Sequence, residues 1–257
     1  MEKVKIPNSK GQNIAAVIER PKVKTEPFDK LTASKLAILC PGFLDTKNYS
    51  HLVELAKTLA NGGYTVVRFD PTGTWESEGE IAEYTTSQYL SDVESVLERM
   101  LREFGYKHIL LGGHSRGGMV SILYAARDPR ISVVVGIMPS SPYTFTGKRR
   151  EEWEKSGVSV NSRDVPNTNK TIEFRVPFSH VTDREQYNVF EDVKKVHVPL
   201  ILVTGELDKA VLPEHVRTIF DKANEPKKFI LIEGIGHDYR HHLSQVNIVN
   251  EEIVKNL

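Results

Sequence analysis

Apolar and polar positions divide most of the chain into short continuous apolar runs that alternate with amphipathic stretches. The apolar runs are typical of buried strands and lie at residues 36–40, 64–69, 108–111, 131–137, 199–203 and 228–232. The amphipathic stretches have apolar residues at helical spacing and lie at 52–59, 88–104, 116–126, 213–222 and 242–256. Apolar segments 4–6 and 14–18 flank the turn-prone residues 8–11, which predicts a hairpin. The predicted class is α/β, a mostly parallel, twisted sheet of about eight strands with helices on both faces.

Residues 141–189 interrupt this alternation. They contain a charged helical stretch at 148–155 and a period-two segment at 171–176. An insertion of about 50 residues is longer than an ordinary connection, and long insertions are commonly lids or binding elements. We therefore expect residues 1–140 and 190–257 to form the core and the insertion to form a lid.

The insertion is rich in aromatic side chains. The candidates for contact with a substrate are Tyr143, Phe145, Trp153, Phe174 and Phe178. The same side chains could instead anchor the insertion to the core, and the two interpretations are compatible.

The motif Gly113-His114-Ser115-Arg116-Gly117 follows a predicted strand directly and opens a predicted helix. In that setting a Gly-x-Ser-x-Gly motif predicts a nucleophile elbow, with the Ser115 hydroxyl exposed on a sharp turn. The flanking glycines leave room for the strained backbone and for the close helix. At the start of this helix, the Arg116 N–H is available to a developing oxyanion.

A serine nucleophile needs a base, and the base needs an orienting acid. Asp208 follows the strand at 199–203, and His237 follows the strand at 228–232. The order Ser115, Asp208, His237 is the order in which triad residues follow a nucleophile elbow of this kind. Because the carboxyl ends of parallel strands share one edge of a sheet, we expect the three side chains to meet there.

Other residues compete for the same roles. Glu206 lies two residues before Asp208, and Asp70 follows the strand that precedes the elbow strand. Among the histidines, His114 lies inside the elbow, where a structural role is expected. His241 and His242 lie beyond His237 near the last helix, where exposure to solvent is expected.

The second oxyanion donor is expected in the loop after the first core strand, which reads Cys40-Pro41-Gly42-Phe43-Leu44. Gly42 permits a turn toward the site, so the N–H of Phe43 is the natural donor. The alternative is a plain Pro-Gly turn. Cys40 is expected to be a small buried strand residue.

Composition restricts the partners. There are 34 Lys and Arg residues and 34 Asp and Glu residues, so the formal net charge is zero, which argues against a nucleic-acid binder that works by bulk electrostatics. A single cysteine allows no intramolecular disulfide and no Cys-based zinc cluster. Residues 1–7 lack the apolar region of a signal peptide, and no apolar run reaches the ~20 residues of a membrane helix. We expect a cytoplasmic protein with no membrane partner.

Together these motifs resemble the α/β-hydrolase superfamily, from about residue 36 to the end of the chain. Within it the chain is similar to small serine esterases such as bacterial cinnamoyl and feruloyl esterases. The residues that carry the resemblance are 41–43, 68–73, 77–79, the elbow, 205–208 and 236–237. The resemblance implies a lid after the sixth strand, a triad of Ser115, Asp208 and His237, and oxyanion amides from Phe43 and Arg116.

Three positions depart from the pattern of those esterases. Pro41 stands where the family usually has His, and Arg116 stands where the esterases commonly have Gln. Residues 73–77 read Gly-Thr-Trp-Glu-Ser in place of Gly-His-Gly-x-Ser, so Trp75 reshapes that loop. None of these departures touches the triad residues.

The sequence predicts a cofactor-independent serine hydrolase that acts on small esters with short or aromatic acyl groups. Amidase, thioesterase, peptidase and acyltransferase activities share the same acyl-enzyme and stay open. A hydrolase-like receptor without turnover is a further alternative. No His-Glu-x-x-His or comparable metal-ligand motif is present in the sequence. An exposed hairpin or the insertion could support a homodimer.

Overall fold

The computed structural model describes residues 1–21 and 35–257, so residues 22–34 of the expected core lie outside the described part. The strands of that part are β1 (Glu2–Pro7), β2 (Asn13–Glu19), β3 (Lys35–Cys40), β4 (Thr65–Phe69), β5 (His108–His114), β6 (Val133–Ile137), β7 (Val158–Asp164), β8 (Thr171–Pro177), β9 (Leu200–Gly205) and β10 (Lys227–Ile232).

The helices are α1 (Ser50–Asn61), α2 (Thr86–Glu103), α3 (Arg116–Ala125), α4 (Gly147–Ser156), α5 (Ser179–Arg184), α6 (Val189–Asp192), α7 (Pro213–Lys222) and α8 (Leu243–Lys255). Single 3₁₀ turns occur at Ile81–Glu83, Val193–Lys195 and Tyr239–His241. Local sequence explains several boundaries: the Thr85 side chain accepts from the Gln88 N–H at the start of α2, and Pro213 occupies the first turn of α7.

Eight strands form one sheet in the order β1-β2-β4-β3-β5-β6-β9-β10. The strands from β4 to β10 in this order pair in parallel, whereas β2 pairs antiparallel with both β1 and β4. The predicted α/β class, the mostly parallel eight-stranded sheet and the N-terminal hairpin are therefore confirmed.

Helices cover both faces of this sheet because its strands are apolar on both sides. In β3, Leu36 and Ile38 pack in the cluster that contains the buried residues of α2, α3 and α7. Ala37 and Leu39 point to the opposite face, where α1 and α8 pack. Cys40 is fully buried at the end of the strand, as expected. These parallel strands are buried on both faces, which fixes where each strand ends. The loops that follow the carboxyl ends of the strands therefore lie together at one edge of the sheet.

The insertion leaves the sheet after β6 and returns before β9, which are hydrogen-bonded neighbours. It contains α4, α5 and an antiparallel pair, β7 with β8, that forms its own two-stranded sheet. The Trp153 indole N–H donates to the Val176 carbonyl at 3.0 Å and joins α4 to the hairpin. The Asp183 carboxylate of α5 accepts from the N–H of Thr86 at 2.6 Å and from that of Ser87 at 3.0 Å. The insertion is thus bonded to the start of α2.

No helix in the described residues has the length and the apolar character needed to cross a membrane.

Candidate active site

Ser115 lies on a sharp turn between β5 and α3. Its backbone has φ 52° and ψ −114°, a region that L-residues other than glycine rarely adopt. A hydrogen bond from the Ser115 N–H to the Ile137 carbonyl, at 2.8 Å, holds the turn against β6. A side chain at Gly113 or Gly117 would collide with the Cys40 carbonyl, so both glycines are required by the close approach of β3. The strand–turn–helix setting expected of the elbow is present.

The structure brings Ser115, Asp208 and His237 together. His237 Nε2 lies 2.9 Å from Ser115 Oγ, and His237 Nδ1 lies 2.7 Å from Asp208 Oδ2. Asp208 is 2 % exposed, and its other oxygen accepts from the N–H groups of Ala210 and Val211. These contacts fix the carboxylate, so the tautomer with Nδ1–H toward Asp208 leaves Nε2 to accept the Ser115 proton.

The competing acids are engaged elsewhere. Glu206 accepts from the Gly234 N–H at 3.1 Å. Asp70 is buried in an ion pair with Lys47 at 2.5 Å. Neither carboxylate contacts His237.

The competing histidines form no hydrogen bond with the Ser115 hydroxyl, whose imidazole contact is His237. His241 and His242 are exposed in the turn that precedes α8, as expected. His114 is 3 % exposed, and its ring centre lies 4.6 Å from that of His237. It packs behind the histidine that contacts Ser115, which is the structural position expected for it.

The loop after β3 places Phe43 beside the elbow. The Tyr84 hydroxyl accepts from the Leu44 N–H at 3.0 Å and lies 3.3 Å from the Gly42 carbonyl, to which it donates. The Tyr89 hydroxyl donates to the Pro41 carbonyl at 2.8 Å. Within the described residues, the N–H groups of Phe43 and Arg116 have no acceptor, so both are free for a developing oxyanion.

Sequence reasoning missed the Arg116 side chain. Its guanidinium is buried and has no hydrogen-bond partner among the described residues. Instead it lies 4.0 Å from the ring centre of Tyr84 and 5.6 Å from that of Tyr89, the two tyrosines that hold the Phe43 loop. Cation–π contact replaces the missing hydrogen bonds. The motif gave no sign of this role, because it depends on α2 packing against α3.

Trp75, another departure from the esterase pattern, also supports the Phe43 loop. Its indole N–H donates to the Leu44 carbonyl at 3.0 Å, and its ring packs edge-on against Tyr49 and Phe174. Trp75 therefore connects the loop after β4 to both the Phe43 loop and the hairpin of the insertion.

A buried polar cluster that the sequence did not indicate lies beneath His237. Potential ligand atoms of Asp45, His51 and His114 all lie within 4.8 Å of one another, a spacing that could hold a metal ion. Burial lowers the pKa of His51 to about 3 and also lowers the pKa of His114, so both imidazoles are neutral at pH 7. The three residues come from separate segments, and no ligand motif links them.

A cavity of about 320 Å³ opens onto Ser115 and His237. Phe145 of the insertion lines it, facing Phe43 with ring centres 5.4 Å apart. Charged residues on its wall are Asp45, Arg149, Arg163, Lys209 and Asp238.

The structure does not place the other four aromatic candidates of the insertion on the cavity wall. Trp153 and Phe174 are buried, the former stacked on His180 and the latter against Trp75. Tyr143 is 52 % exposed and packs against Phe190 and His215, and Phe178 packs under Arg150. Trp153 and Phe174 anchor the insertion, because burying these large rings fastens it to the core.

Comparisons with known proteins agree with the fold. The Hydrolase_4 family model, described as serine aminopeptidase, S33, matches residues 32–189. Palmitoyl-protein thioesterase ABHD10, a mitochondrial protein of Mus musculus, is 24 % identical over 206 residues, which are 79 % of this chain and 68 % of the relative. The polyketide transferase GrgF of a Penicillium species is 24 % identical over 238 residues, 78 % of this chain and 80 % of the relative.

Among solved structures, Est1E from Butyrivibrio proteoclasticus with bound ferulic acid superposes with a TM-score of 0.77 at 22 % identity, over 98 % of both chains. A structural similarity at this level of sequence identity shows that the chain has the α/β-hydrolase fold. The family model matches more than half of the residues, and the chain therefore belongs to the serine aminopeptidase S33 family of α/β hydrolases.

Proposed function

We propose that this hydrolase cleaves small carboxylic esters, with Ser115 as nucleophile, His237 as base and Asp208 as orienting acid. The observation that supports this most is the position of His237, whose two ring nitrogens lie 2.9 Å from Ser115 Oγ and 2.7 Å from Asp208 Oδ2. Such an arrangement removes the serine proton as the bond to the acyl carbon forms.

In the proposed reaction, Ser115 Oγ attacks the ester carbonyl while its proton moves to His237 Nε2. The N–H groups of Phe43 and Arg116 bind the resulting oxyanion. When the tetrahedral intermediate collapses, the C–O bond to the alcohol breaks and His237 gives the alcohol its proton. Water then attacks the acyl-enzyme by the same route, which releases the acid and restores the serine.

The insertion serves in this proposal as a lid, because Phe145 closes the cavity against Phe43. The mouse relative is named a thioesterase and the Penicillium relative a polyketide transferase. Thioester cleavage and acyl transfer use the same acyl-enzyme as ester cleavage. The cytoplasmic location and the homodimer stay predictions from the sequence.

Hydrolysis of p-nitrophenyl butyrate tests the proposal. Ser115→Ala removes the nucleophile, and we expect kcat to fall about 10³-fold or more, because loss of a triad serine is not compensated by its neighbours. Ser244→Ala, an exposed serine in the first turn of α8, is the control and should act like the unchanged protein.

A fluorophosphonate should label the unchanged protein at Ser115 and leave Ser115→Ala unlabelled. A panel with matched butyryl thioester and amide substrates separates the reaction classes. Full esterase activity in Ser115→Ala would refute the proposal, and labelling without turnover of any substrate would favour a binding protein.

A further inference from the structure

Three cations face the cavity above Ser115. Arg149 comes from α4, Arg163 from β7, and Lys209 from the loop after β9. Arginine and lysine side chains from three separate elements converge on a cavity that adjoins the reacting groups. Convergent positive charge at a small cavity is the arrangement that binds an anionic group.

The two carboxylates on the cavity wall form no ion pair with these three cations, although, against the effect of burial, the contact to His114 and the charge of Arg163 lower the pKa of Asp45. Asp45 is buried with its Oδ2 directed at His114, 3.5 Å from Nδ1. The Asp238 side chain is 70 % exposed, and the cation within ion-pair range of it is Arg240, at 4.0 Å. Neither carboxylate forms an ion pair with Arg149, which leaves that charge available.

Arg149 has no hydrogen bond and no ion pair with the described residues. Its guanidinium lies 5.0 Å from the ring centre of Phe145, on the cavity wall. By contrast, the adjacent Arg150 is bound to Glu154 at 2.6 Å and to Glu185 at 2.7 Å. In α4, therefore, Arg150, which does not line the cavity, forms ion pairs, whereas Arg149, which lines it, forms none with the described residues.

Arg163 is only partly satisfied. One of its terminal nitrogens donates to the Phe43 carbonyl at 2.6 Å, but its Nε is buried and has no partner in the described part of the chain. The next carboxylate along β7, Asp164, is engaged by Arg240 at 2.6 Å. Burial and the charge of Arg163 lower the pKa of Arg149, so the two guanidinium groups lie close enough to repel. A bound anion would relieve that repulsion.

We propose that Arg149 and Arg163 bind a carboxylate carried by the substrate, so that the hydrolase selects esters with a negative charge a few bonds from the reacting carbonyl. The inference rests on the proposed ester hydrolysis and adds the substrate class. Arg163 reaches the carbonyl of Phe43, the proposed oxyanion residue, and thus places the carboxylate beside the reacting group. Lys209, exposed at the rim, attracts the anion from solution.

Two matched ester pairs test the charge and its position. In the acyl pair, p-nitrophenyl hemiglutarate carries a terminal carboxylate and p-nitrophenyl valerate does not. In the alcohol pair, 4-carboxyphenyl butyrate is compared with its neutral 4-carbamoyl analogue. We expect kcat/KM to be about 10-fold higher for the anionic member of one pair. A ratio of this size is what one additional hydrogen bond to a charged group would give. The preference should shrink as salt rises.

Arg149→Met keeps the apolar stem and removes the charge. We expect it to lose the anionic preference about 10-fold while the neutral ester stays within about two-fold. Arg149→Lys should restore part of the preference. The control is Arg175→Met, which removes an equal charge from the exposed face of β8, where the contact with Glu173 is 3.5 Å.

Equal kcat/KM within both pairs would overturn the carboxylate site while leaving ester hydrolysis intact. Equal losses in Arg149→Met and Arg175→Met would also overturn it, because the effect would then be one of overall charge. If neither member of any pair were hydrolysed, the proposed function itself would fail.

Discussion

At the scale of single residues, the backbone of Ser115 adopts a conformation that destabilises the folded protein but exposes the hydroxyl. Its φ of 52° and ψ of −114° expose the hydroxyl above the sheet, yet a non-glycine residue in such a conformation costs about 1–3 kcal/mol. The hydrogen bond to Ile137 and the packing of Gly113 and Gly117 against β3 hold it there. The surrounding fold therefore supplies the energy that the elbow requires.

The comparison of Ser115→Gly with Ser115→Ala measures this strain. Both variants lack the hydroxyl and should be inactive, but glycine adopts the native dihedral angles without a steric penalty. We expect the free energy of unfolding of Ser115→Gly to exceed that of Ser115→Ala by about 1 kcal/mol. Urea denaturation of the two proteins gives the difference. Equal stabilities would mean that the elbow is not strained.

The residues that could be predicted from the sequence are those whose position follows from a strand end. Ser115, Asp208 and His237 each follow a parallel strand, so one rule of sheet geometry predicted their proximity. The Arg116 guanidinium and the cluster beneath His237 could not be predicted. Their contacts depend on how α2 and α3 pack and on where the loop after β3 turns, and no local pattern records that.

At the scale of elements, the Phe43 loop is held by several parts of the fold. The Tyr84 hydroxyl binds it from the residue after the Ile81–Glu83 turn, and the Tyr89 hydroxyl binds it from the first turn of α2. Trp75 binds it from the loop after β4, and Arg163 binds it from β7. This loop contains the N–H of Phe43 and lies beside the N–H of Arg116, both of which are free of acceptors among the described residues. Such support matters because hydrogen-bond donors that are already oriented need no reorganisation during the reaction.

Removal of the tyrosine hydroxyls tests this support. Tyr84→Phe loses the hydrogen bonds to both Gly42 and Leu44. Because the buried Gly42 carbonyl and Leu44 N–H are then left without this partner, we expect kcat to fall about 5- to 50-fold with little change in KM. Tyr89→Phe, which loses one bond, should have a smaller effect. The control is Tyr124→Phe, whose hydroxyl bonds Asp128 at the far end of α3. A rise in KM alone would contradict the expected role in the reaction step.

Among the elements, the core helices and strands were predicted within a few residues, but the insertion was predicted only in part. The period-two segment at 171–176 became β8, whereas its partner β7 gave no signal. The β7 sequence, Val-Ser-Val-Asn-Ser-Arg-Asp, is mostly polar, and none of its residues is fully buried. It becomes a strand through pairing with β8, a long-range effect that local periodicity does not contain.

At the scale of the whole molecule, a buried histidine joins the insertion to the core. His180 of α5 is 1 % exposed, bonds the Tyr84 carbonyl at 2.8 Å and stacks on Trp153. Burial, together with the positive charges of Arg116 and Arg184, holds its pKa well below the usual value. The junction therefore contains a histidine that stays neutral while the protein is folded.

This histidine predicts a loss of stability in acid. Below its ordinary pKa of about 6.5, His180 takes up a proton in the unfolded chain but not in the folded one, so lower pH favours unfolding. We expect His180→Gln to flatten the decline in the free energy of unfolding between about pH 6.5 and 4.5, by up to about 1.4 kcal/mol per pH unit. His242→Gln, at an exposed site, is the control. The prediction would be contradicted if the free energy of unfolding declined with pH in the same way in the unchanged protein, His180→Gln and His242→Gln.

The adjacency of β6 and β9 has a consequence for how this protein could diversify. The insertion begins and ends at two neighbouring strands, so its length and sequence can change without altering any strand pairing in the main sheet. Ser115, Asp208 and His237 all lie outside residues 141–189, whereas Phe145, Arg149 and Arg163 lie inside them. An exchange of this one contiguous segment between relatives would transfer these cavity-lining residues as a unit, so the proposed substrate contacts could change while Ser115, Asp208 and His237 stay unchanged.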